Sequence, residues 1–126
     1  MEIRALSYVG VEVTDLEAWA GSLAKIRAWK SETLFITHFG PYRGASDHLD
    51  RFEASLSDVA EMARRALEGD EPDDTKYARF RSDVDAYIRR FVPESEAVPM
   101  ERVGPLEFNW RGLARYWRTR AAPASR

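Results

Sequence analysis

The spacing of apolar residues between Leu49 and Ala66 constrains this chain most. Leu49, Phe52, Leu56, Val59, Met62 (or Ala63) and Ala66 recur at intervals of three and four, on one stripe of a helix running from about 46 to 67. A stripe of that kind must be buried against other elements. Gly69 is placed to stop the helix, and the acidic stretch Asp70-Glu71-Pro72-Asp73-Asp74 reads as a linker. A second stripe, Tyr77, Phe80, Val84, Tyr87, Ile88 and Phe91, predicts a helix over about 74–91. Pro93 ends it, because the residue before a proline is pushed out of the helical region.

Two more helices follow from the same reasoning. Thr14-Asp15-Leu16-Glu17 has the pattern of a capping box. It opens a helix over about 15–29 with Leu16, Trp19, Leu23, Ile26 and Trp29 on one face. Asn109 is an expected N-cap for a last helix over about 110–120, whose apolar members are Trp110, Leu113, Ala114, Tyr116 and Trp117. Between them, residues 93–105 carry three prolines and Gly104 and read as an irregular crossing, and 121–126 as a frayed tail.

Strand signals are confined to the first third. Residues 5–13 are apolar and β-branched, and so are residues 33–37. Gly40-Pro41-Tyr42-Arg43-Gly44 reads as a loop. The expected fold is therefore α+β but mostly helical, a short β element packed by helices. Two short strands are marginal by themselves, so the 126 residues make either a single domain or a fragment of a larger α/β protein. Residues 1–40 form the strand-helix-strand part and 41–126 a helical extension.

Composition narrows the classes. Hydrophobic residues at 44% supply a core. A net charge of −2 gives no electrostatic argument for nucleic acid or for a membrane surface. No apolar run approaches the ~20 residues of a membrane span, and Met1-Glu2-Ile3-Arg4 does not open a signal peptide. The absence of cysteine excludes thiolate zinc sites and disulfides and fits a cytoplasmic location.

The first chemical candidate is His38, one of two histidines. It stands at the carboxyl end of Thr33-Leu34-Phe35-Ile36-Thr37, followed by Phe39, Gly40 and Pro41, so a rigid strand and a turn would deliver an imidazole to a site. Neutral imidazole is a common zinc ligand. Asp47-His48-x-Asp50 is superficially metal-like, but carboxylates in a first helical turn are expected from the helix dipole alone. Arg111, Arg115, Arg118 and Arg120 interleave with Trp110, Tyr116 and Trp117. The plainer account is a buried aromatic face and a solvated basic one, free to pair with Asp58, Glu61, Glu68 and Asp70. Arg64-Arg65 and Arg89-Arg90 suit helix C-termini. Ser22, Ser55 and Ser57 lack a triad setting, residues 40–44 lack a phosphate-loop lysine, and no hydrolase carboxylate pair stands out.

Three stretches resemble the carboxyl-terminal part of metallo-β-lactamase-fold hydrolases, over residues of about 15–120. They are Asp15 to Trp19 through Ser22 to Arg27 and on to Glu32-Thr33-Leu34-Phe35-Ile36-Thr37-His38-Phe39-Gly40-Pro41; His48-Leu49-Asp50-x-Phe52-Glu53-x-x-Leu56; and Trp110-Arg111-Gly112-Leu113-Ala114-Arg115-Tyr116-Trp117-Arg118. The resemblance implies a two-metal hydrolase, usually of zinc, with His38 as its last metal ligand. The family's His-x-His-x-Asp-His motif is absent from the sequence, and one histidine cannot supply the roughly three protein ligands of a catalytic zinc. The expectation is a truncated hydrolase fragment, not catalytic alone, with no catalytic residues assigned, zinc belonging to the complete relatives and not bound tightly here. Its partner would be a second copy or the missing amino-terminal part. Separately, Ile3 to Trp19 is similar to the opening strand and helix of extradiol dioxygenases of the vicinal-oxygen-chelate superfamily, which carries no metal ligand over. Two alternatives stand beside the fragment: a small helical interaction or dimerisation module using Trp29, Phe39, Tyr42 or Trp117, and an extradiol dioxygenase-like domain.

Overall fold

A computed structural model describes residues 15–36, 40–95 and 106–121. Helix α1 (Leu16–Ala28) leads into strand β1 (Thr33–Ile36), which pairs antiparallel with β2 (Gly40–Arg43). Helices α2 (Ala45–Ala66), α3 (Asp73–Phe91) and α4 (Leu106–Ala121) follow. The architecture is mostly helical with a short β element. The expected strand over 5–13, the crossing beyond residue 95 and the tail from residue 122 lie outside the described residues.

Helix α2 is the hub, packed against α1, α3 and α4, and α3 also packs on α4. Its predicted stripe is buried throughout, with Met62 and Ala63 both inside. The core continues through Leu23 of α1, Phe80, Val84, Tyr87 and Ile88 of α3, and Trp110, Leu113 and Ala114 of α4. Rings order it: Trp19 lies 5.4 Å from Phe52, and Trp110 lies between Phe80 at 5.4 Å and Tyr77 at 6.3 Å.

The helix ends depart from expectation for local reasons. The α1 N-cap is Asp15, whose carboxylate accepts from the Ala18 amide at 3.0 Å. Thr14, the other member of the expected capping box, lies outside the described residues; Glu17 bonds Tyr116 and Arg120 of α4. Trp29 is not inward but 69% exposed. Steps of three from Leu23 through Ile26 drift around the helix by about 60° each, which carries Trp29 off the buried face. Lys30 then takes a left-handed backbone (φ 53°), the conformation that glycine usually supplies after a helix. Phe91 is 64% exposed although its spacing placed it inward. The helix ends there, and Val92, in extended conformation, takes the core position instead.

Helix α4 starts at Leu106, so Asn109 is not its N-cap but a buried residue inside it. Glu107 occupies the first turn, where its charge suits the dipole and pairs with Arg111 one turn on at 2.6 Å. Gly69 has φ 91° just beyond α2. The last α2 carbonyl, on Ala66, and the Glu68 carbonyl two residues on accept from the Arg79 guanidinium of α3, at 3.5 and 3.4 Å.

Residues 40–43 form a strand where composition indicated a loop. Pro41 is tolerated because its partner in the register is Phe35, a position where the ladder asks nothing of its missing N–H. The ribbon is fastened to α2 by the Gly44 and Ala45 amides, which both donate to the Glu32 carbonyl at 3.0 and 3.2 Å.

Candidate functional site

His38 lies outside the described residues, between β1 and β2 in the chain, and so does Phe39. The structure does describe the strand that precedes it. Leu34 of β1 is half-buried against the helical core. Beside it, a cleft of about 170 Å³ opens between the end of α1, β1 and the start of α2, with Ile26, Leu34 and Leu49 as apolar lining and Arg27, Lys30 and Ser46 as polar lining. Arg27 is not a free cation there. It spans to α2 and donates to Asp50 at 2.6 Å and to Glu53 at 2.7 Å. Those two bonds, Asp50 first, raise its already high pKa.

This pairing disposes of the Asp47-His48-x-Asp50 candidate. His48 is 8% exposed on the inner side of α2, while the Asp50 carboxylate is turned to Arg27. Among the described residues no group of three or more His, Cys, Asp or Glu side chains could hold a metal ion.

The basic face of α4 pairs with acids other than those expected. Arg118 bonds Asp73 at the start of α3, Arg120 bonds Glu17 at the start of α1, and Arg111 bonds Glu107 within α4. The Arg118 bond holds the Asp73 carboxyl below its ordinary pKa, with a further contribution from the Trp110 indole N–H at 3.3 Å. Tyr116 donates to Glu17 at 2.8 Å, and the Arg120 guanidinium lies 4.3 Å over the Tyr116 ring. Of the acids expected to meet the α4 arginines, Glu61 of α2 and Glu68 just past its end pair with Arg64 instead. At the far end of α3, Arg89 bridges Asp85 and Glu94.

One polar cluster had no signal in the sequence. The Tyr87 hydroxyl, buried between α2 and α3, lies 3.2 Å from both the Ser55 hydroxyl and the Asp58 carboxylate. Burial, more than any neighbour, pushes the Tyr87 pKa up. The phenol has one proton, so it donates to the carboxylate and accepts from Ser55. Ser55 thus serves a structural bond between α2 and α3. Nothing in the spacing of residues 32 apart could have announced this.

Among the described residues the exposed aromatic side chains are Trp29, Phe91 (64%) and Phe108 (50%). Trp117 is not among them: it is half-buried, and its indole N–H donates to the Ala60 carbonyl at 2.9 Å. The side chain of Tyr42 lies outside the description. No helix among the described residues is long and apolar enough to cross a membrane. No family of proteins, no curated protein and no solved structure matches this chain.

Proposed function

We propose that the chain is the carboxyl-terminal, helical part of a metallo-β-lactamase-like, metal-dependent hydrolase, with His38 as its one metal ligand and no turnover of its own. The observation that supports this is the order α1, β1, β2, α2 around a two-stranded ribbon. A helix feeds an uncharged four-residue strand that ends two residues before His38, and the ribbon is too small to be a finished sheet. The remaining ligands would come from the amino-terminal part of such a fold. Among the described residues the Asp50 and Glu53 carboxylates of α2 are held by Arg27.

Zinc binding tests the reading. The purified chain should take up zinc weakly, His38→Ala should abolish that uptake, and neither protein should hydrolyse a lactam, ester or thioester. Uptake unchanged by His38→Ala removes the ligand assignment, and turnover by sequence-verified protein removes the fragment reading. A reading frame just upstream encoding His-x-His-x-Asp-His would support it directly.

A second reading, a helical interaction module, is favoured by Trp29, which projects 69% exposed from the end of α1 beside the cleft. It requires that Trp29→Ala abolish binding to whatever polypeptide the protein retains.

A further inference from the structure

We draw no further inference here: the strongest candidate, the cleft between the end of α1, β1 and the start of α2 where Lys30, Ser31 and Ser46 gather beside Ile26, Leu34 and Leu49, rests on a helix N-terminus and surface side chains alone, and nothing in the structure shows what would occupy it.

Discussion

Replacing Phe80 by alanine should remove a large part of the stability of this fold. Phe80 has no exposed surface and stands 5.4 Å from the Trp110 ring, at the seam between α3 and α4. A buried aromatic side chain hides about 150–250 Å². At about 25 cal/mol per Å², and with alanine retaining part of that area, roughly 3 kcal/mol of transfer free energy is lost. The ring contact with Trp110 adds about 0.5–1.5 kcal/mol. The sum, about 4 kcal/mol, falls within the range measured for Phe→Ala in cores. Domains have only about 5–15 kcal/mol in all, so the variant should be close to the edge of folding. Urea unfolding followed by tryptophan fluorescence is the assay, since Trp110 reports on the seam itself. With a slope of about 2 kcal/mol per molar, the midpoint should fall by roughly 2 M. Phe91→Ala is the control. At 64% exposed it should cost no more than about 0.5 kcal/mol. A loss below about 1.5 kcal/mol for Phe80→Ala, at unchanged slope, would refute the packing of α4 on α3.

Lys30→Gly should stabilise the protein by roughly 0.5–1 kcal/mol, because the left-handed backbone at Lys30 strains any side chain with a Cβ; thermal melting measures it. Asp15→Ala should cost about 1 kcal/mol by removing the cap on the Ala18 amide, read from the same melts. Because the Tyr87 pKa is raised in the folded protein, its contribution is fully present below the ordinary tyrosine pKa near 10. It is lost as pH rises through the folded value. Stability should therefore drop more steeply above pH 10 in the natural protein than in Tyr87→Phe, by urea midpoints taken across that range.

The helices were legible because their apolar spacing is a property of neighbours in the sequence. Leu49 to Ala66 and Phe80 to Ile88 fall where the three-and-four rhythm puts them. That rhythm cannot say where the packing partner stops. Trp29 and Phe91 continue the pattern on paper, but Trp29 stands just past the end of α1 and Phe91 is the last residue of α3, and both are exposed. Asn109 misled for a related reason: asparagine is a good cap, but the helix already starts at Leu106 and buries Asn109 within it. Pro41 hid β2 because proline argues against a strand unless the register is known, and the register depends on Glu32 and Gly44, which no propensity reveals.

The choice of ion-pair partners was illegible in the same way. The arginines of α4 were free to meet any acid on the bundle surface. They meet Glu17 and Asp73 because those residues occupy the first turns of α1 and α3. Acids are favoured there by the helix dipole, so one carboxylate eases its own helix start and fastens α4 to it. Exposed pairs of this kind are worth little singly. Their effect lies in direction: Glu17 takes both Tyr116 and Arg120, and Asp73 takes both Trp110 and Arg118. Helix α4 is thereby set in register against the starts of α1 and α3. Variants at Glu17 or Asp73 should accordingly change how α4 seats. Amide exchange along α4 in Glu17→Gln measures this, and exchange unchanged from the natural protein would refute the role given to Glu17.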